Sequence, residues 1–80
     1  MKAPKSYLEI EIYFKDGTKD WVSPIEDTDE DVYIRAEIIF IDNGYHIYDY
    51  KLKDINRVEV VKIFDDVEIE REVLYRSEGL

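Results

Sequence analysis

The chain has 80 residues, 45% of them hydrophobic and 39% charged, which suits one small folded domain spanning residues 1–80 and excludes a two-domain enzyme. Its 20 acidic residues outnumber its 11 basic ones for a net charge of −9, a field that repels phosphate backbones and anionic headgroups and argues against direct nucleic-acid or membrane binding. With no cysteine there is no disulfide, thiolate nucleophile or cysteine-held zinc, and with neither a membrane-span-length apolar run nor a signal-type N-terminus the expected location is cytoplasmic.

The first strong pattern is Tyr7 to Phe14, where Leu8, Ile10, Ile12 and Phe14 alternate with Tyr7, Glu9, Glu11 and Tyr13 at the period of a half-buried strand. Asp16-Gly17 follows, a hairpin cue of the type I′ kind in which both central residues take positive φ. Lys19 to Ser23 reads as the return strand, with Pro24 stopping it by removing a ladder donor. Ile25 to Asp31 holds five carboxylates in seven residues, Glu26, Asp27, Asp29, Glu30 and Asp31, and is expected as an exposed loop. Val32 to Ile41 reads as a second long strand whose far end is apolar on both faces. Asn43-Gly44 predicts another hairpin, with Tyr45 to Tyr50 as the partner strand. Lys51 to Asn56 breaks the alternation and predicts a turn or one short helical turn that pins Leu52 and Ile55 inward, before Arg57 to Phe64 resumes as a strand with Val58, Val60 and Phe64 on one face. The tail from Asp65 fits either a strand or a short helix capped by Asp65 or Asp66, and the spacing of Val67, Ile69, Val73 and Tyr75 favours the strand.

Sequential strands with tight turns predict an all-β, five- or six-stranded antiparallel meander, curled into a small SH3-like or Sm-like barrel. A flat open sheet is the less favoured form, because it leaves an apolar face uncovered.

The chemistry-bearing residues assemble into no specific catalytic motif. Asp27, Asp29 and Asp31 have the alternate spacing with which a calcium loop begins, but Val32 stands where such a loop needs glycine and Ile38 where it needs a bidentate glutamate. His46, the only histidine, has Asp20 and Asp49 for company but no nucleophile context, and reads as part of a polar-aromatic strand face. A carboxylate pair for glycoside hydrolysis can be drawn from so many acids in too many ways to be specific. No cofactor or metal site is therefore expected. Seven tyrosines and one tryptophan point instead to a recognition surface, since such side chains bury large area with few rotors. Tyr33, Tyr48 and Tyr50 are expected outward on their strands. A second acidic zone carries Asp65, Asp66, Glu68, Glu70 and Glu72; rows of carboxylates at strand spacing approximate the phosphate spacing of DNA, although solubility explains the same charges.

Two stretches, Ile10 to Pro24 and Asp42 to Tyr50 running on to Asp54-Ile55, resemble small uncharacterised acidic proteins of phages and prophages of Gram-positive bacteria. The resemblance covers about two thirds of the chain, rests on hairpin turns and alternating strands, and brings no catalytic residues with it. It implies a setting in which small acidic proteins bind and disable a host protein. The functional expectation is thus a non-catalytic binding module that docks on a basic, nucleic-acid-binding partner through Glu26, Asp27, Asp29, Glu30, Asp31, Tyr33, Tyr48, Tyr50, Asp65, Asp66, Glu68 and Glu70. The alternative is a structural or adaptor subunit that forms homo-oligomers through a strand edge.

Overall fold

A computed structural model describes residues 6–26 and 31–77. Among the described residues seven strands form: β1 (Ser6–Phe14), β2 (Lys19–Glu26), β3 (Asp31–Arg35), β4 (Ile38–Asp42), β5 (Ile47–Lys51), β6 (Ile55–Phe64) and β7 (Val67–Arg76). One 3-10 turn, Leu52–Asp54, links β5 to β6, and no α-helix occurs among the described residues. All pairings are antiparallel, giving a four-stranded sheet in the order β2-β1-β6-β7 and a three-stranded sheet in the order β3-β4-β5. The all-β expectation holds. The tail is a strand, not a helix, and the described acids of its first turn cap nothing: Asp65 and Asp66 instead form the β6–β7 turn at φ 53° and 64°.

The strand alternation decides which side chains meet between the sheets. Leu8, Ile10 and Ile12 of β1, Val22 and Ile25 of β2, and Ile55, Val58 and Val60 of β6 pack with Ile39 and Ile41 of β4, all buried. Burial of aliphatic side chains of this size contributes about 1.5 to 3 kcal/mol each, so these ten define the stability of the domain. Phe14, Val32, Tyr48, Tyr50, Leu52, Leu74 and Tyr75 close the periphery of this core.

Three local expectations change. The single strand expected over Val32 to Ile41 is a hairpin, because Ala36 and Glu37 both adopt positive φ (53° and 62°) and turn the chain between β3 and β4 without glycine or asparagine. This turn puts Ile39 and Ile41 into the core while Ile34 is left half exposed. Pro24 does not stop β2: the register passes from Ile10↔Val22 to Leu8↔Ile25, so Ser23 and Pro24 together oppose Glu9 in a bulge, and a bulge on an edge strand is where a residue without an N–H is tolerated. Asp16-Gly17 closes a larger loop than a two-residue turn: Gly17 N–H donates to the Phe14 carbonyl, Phe14 N–H to that of Thr18, and only Gly17 takes positive φ (92°). Asp16 Oδ1 holds this loop by accepting from Thr18 N–H and Oγ1, which keeps its carboxyl below the ordinary value.

Candidate docking surface

The outer face of the larger sheet carries a row in which Trp21, Glu11, Glu59 and Val73 stand side by side on β2, β1, β6 and β7. Alternation alone would give Glu11 and Glu59 to water. The register instead sets them directly opposite each other, and they are only 6% and 7% exposed. Opposed like charges in a ladder are destabilising, so the pair requires cations. Arg71 on β7 supplies the main one by reaching over β6: its Nη1 donates to Glu11 Oε1 at 2.9 Å and to Glu59 Oε1 at 2.5 Å, while Nη2 and Nε hold Glu68 at 2.8 and 2.9 Å. Arg57 Nε donates to Glu59 Oε2 at 2.5 Å, Lys19 Nζ lies 3.8 Å from Glu11 Oε2, and the Tyr13 hydroxyl donates to Glu11. The Arg57 guanidinium also stacks 3.8 Å above the Tyr13 ring.

These contacts fix the ionisation states. The hydrogen bond from Arg71 holds Glu59 below its ordinary 4.5 against the opposing effect of burial. Burial pushes Glu11 up, but the hydrogen bonds of Tyr13 and Arg71 together with the positive charges of Arg71 and Lys19 bring it below 4.5 as well. Arg71 is raised in turn by Glu68, Glu11 and Glu59. Neither carboxyl is lifted into the range that a neutral general acid needs, so this close pair behaves as an ion-paired scaffold. Glu11, Glu59 and Glu68 cancel Lys19, Arg57 and Arg71 in charge, so the net −9 of the chain resides elsewhere.

Much of it gathers at one end. Glu26 closes β2, Asp65 and Asp66 form the β6–β7 turn, and Glu70 lies near the start of β7; all are exposed. Phe64, Val67 and Ile69 lie among them with 45%, 60% and 54% of their surface exposed, an apolar tip rimmed by carboxylates. The opposite end of the same sheet mixes both signs: Lys15, Lys19, Arg57 and Arg76 lie there with Asp16, Asp20 and Asp54, and Lys51, Lys53 and Arg35 come to it through the 3-10 turn, whose Leu52 N–H donates to the Glu37 carbonyl. The long axis of the molecule measures 48 Å, so the two ends are well separated on the scale of a Debye length, about 8 to 10 Å at ordinary salt.

The residues expected to contact a partner distribute unevenly. Asp27, Asp29 and Glu30 lie outside the described residues. Asp31 is exposed at the start of β3, opposite Asp42. Tyr33 is 37% exposed and stacked on Phe40, with ring centroids 5.0 Å apart. Tyr48 and Tyr50, expected outward, point inward instead: because β4 faces the core through Ile39 and Ile41, their ladder partners Tyr50 and Tyr48 share that face and pack at its edge. The Tyr50 hydroxyl donates to Asp20 Oδ2 at 2.9 Å and its ring lies 5.9 Å from that of Phe14; burial, followed by the Asp20 carboxylate, pushes its pKa well above the ordinary value. Glu68 is taken up by Arg71, and Glu70 sits opposite Lys62. His46 is exposed on the β4–β5 loop, edge-on to Tyr48 at 4.6 Å.

Sequence reasoning missed the Glu11–Glu59–Arg71 network, since only the pairing register reveals that the two glutamates face each other. The exposed position of Trp21 could have been found from its outward register, whereas Phe64 lies on the side of β6 that carries Val58 and Val60 and is exposed at the strand's end. Among the described residues no group of histidine and acidic side chains is arranged to hold a metal ion, and no helix is long and apolar enough to cross a membrane. No protein family matches this chain, and neither a curated protein nor a solved structure shows significant similarity to it.

Proposed function

We propose that the chain is a non-catalytic, acidic protein-binding module that docks on a basic partner. The observation that carries this reading is the tip at Phe64 to Glu70, where exposed apolar side chains sit inside a ring of carboxylates. An apolar centre with a charged rim is the arrangement of a docking patch, with the centre supplying affinity and the rim supplying steering and choice of partner. A basic nucleic-acid groove on a cytoplasmic host protein, such as a defence nuclease, has the complementary charge, and an inhibitor of the phage type would act by occupying it.

The test is binding of the wild-type chain and of the D65K/D66K double variant to a panel of purified basic nucleases, in 50 and 300 mM salt. Affinity for at least one should fall as salt rises, and charge reversal should weaken it further at low salt, because exposed charges are screened beyond a Debye length. Binding that is indifferent both to salt and to the reversal overturns the reading. The second reading, a self-associating adaptor subunit, draws on the half-exposed Ile34 and Ile47 of the smaller sheet. Sedimentation as a concentration-independent monomer at micromolar protein would remove it.

A further inference from the structure

Among the described residues β7 pairs only with β6, so a full row of its amides and carbonyls faces away from the sheet. Two features of this edge select what can pair with it. Glu70 and Glu72 are exposed and stand opposite Lys62 and Val60, on the side of β7 that faces the core, and Glu68 is exposed beyond them. Toward the other end of the strand, Leu74 joins Val32, Tyr33, Ile34 and Ile39 in lining an open apolar groove of about 250 Å³ between β7 and β3. The carboxylate rows disfavour pairing of β7 with the β7 of a second copy, since like charges then face each other across the new ladder. The same rows favour a strand of opposite charge.

We infer that β7 is the docking edge for an extended segment of a basic protein, which adds antiparallel as a fifth strand with lysine or arginine opposite Glu70 and Glu72 and aliphatic side chains in the groove beside Leu74. This rests on the basic-partner reading and specifies its mode: main-chain hydrogen bonds supply affinity, and alternate side chains supply selectivity. Antiparallel addition places the aliphatic residues in the N-terminal half of the segment and the basic ones in its C-terminal half.

The probe is the peptide acetyl-Val-Thr-Val-Thr-Lys-Thr-Lys-Thr-Lys-amide, compared with a peptide of the same length and lysine positions in which glycine replaces every valine and threonine. Amide spectra of the labelled full chain should show shifts centred on β7, with slowed hydrogen exchange there, for the first peptide only. E70K/E72K should weaken that binding about tenfold, as expected for two exposed ion pairs of at most about 1 kcal/mol each, while D65K/D66K should change it less than about threefold. Equal binding of the glycine peptide without protection of β7 overturns the edge inference and leaves the acidic docking reading intact. So does binding of a basic nuclease by a chain whose β7 neither peptide perturbs. If no peptide and no basic protein binds, the underlying reading falls too. A dimer in sedimentation whose interface protects β7 would assign the edge to a second copy and overturn the proposal.

Discussion

Replacing Arg71 with methionine keeps much of the side-chain volume and removes the cation that Glu11 and Glu59 share. Two carboxylates that are each less than a tenth exposed are then left facing each other across β1 and β6. Removing one partner from a fully buried pair costs about 3 to 5 kcal/mol, and a hydrogen bond to a charged group contributes about 1.5 to 3. The Arg71 side chain is 36% exposed, so water and the remaining Arg57 and Lys19 recover part of the loss, and a cost of about 2 to 3 kcal/mol is expected. For a chain of this size the urea dependence is about 1 kcal/mol per molar, which moves the unfolding midpoint in far-UV circular dichroism down by about 2 to 3 M. The effect has a definite pH dependence. In the wild type the folded-state values of Glu11, Glu59 and Glu68 lie below 4.5, so their contribution is fully present above the unfolded value and is lost as pH falls through the folded values. In R71M the cation that the two carboxylates share is gone, and burial with mutual repulsion raises the pair relative to the wild type, so acidification relieves the variant. The gap between wild type and variant is therefore widest at pH 7 and closes toward pH 4, and adding Glu11→Gln with Glu59→Gln should restore most of the loss at pH 7. A midpoint shift below about 0.5 M, or a gap equal at both pH values, would refute the ion-pair account.

Other positions give sharper local tests. Ala36→Asn with Glu37→Gly places the favoured residues at two positive-φ positions and should stabilise the chain by about 0.5 to 1 kcal/mol, seen as a rise of about 4 to 8 °C per kcal/mol in thermal melts. Tyr50→Phe removes the hydroxyl that donates to Asp20 and should cost about 0.5 to 1.5 kcal/mol in urea unfolding. In a spectrophotometric titration of the wild type, Tyr50 should ionise above the range of an ordinary tyrosine, and that late phase should be missing from Tyr50→Phe. Ile41→Ala, at a site with 0% exposure, should cost about 2 to 5 kcal/mol in urea unfolding, a large share of the about 3 to 5 that a single core of this size yields.

Period-2 alternation is sufficient to find β1 and β6 and the inward side of each, because both are continuous strands whose alternate aliphatic residues enter the core. It failed where the chain turned without the usual residues. Ala36-Glu37 and Asp65-Asp66 carry no glycine, and only pairing on both sides holds them at positive φ, so the alternation runs through the first as strand and leaves the second compatible with a helix cap. Bulges hid the rest: the register of β7 shifts near Ile69 and Leu74, so its apolar residues, evenly spaced in sequence, do not share a face. The tyrosines of β5 follow the same logic. Their direction depends on which face of β4 is buried, and that depends on the turn at Ala36. The acidic tip was legible as charge, whereas its apolar centre became evident only with the fold.

The uneven spread of negative charge acts before any contact forms. With Asp65, Asp66 and their acidic neighbours at the β6–β7 turn and both signs mixed at the other end, the field of a positive groove exerts a torque on the molecule as well as a pull. Approaching such a groove, the chain rotates until Phe64 and its flanking acids lead and the lysine-bearing end trails. The fraction of collisions that begin in a productive orientation rises accordingly, and the association rate gains without a single added interface contact.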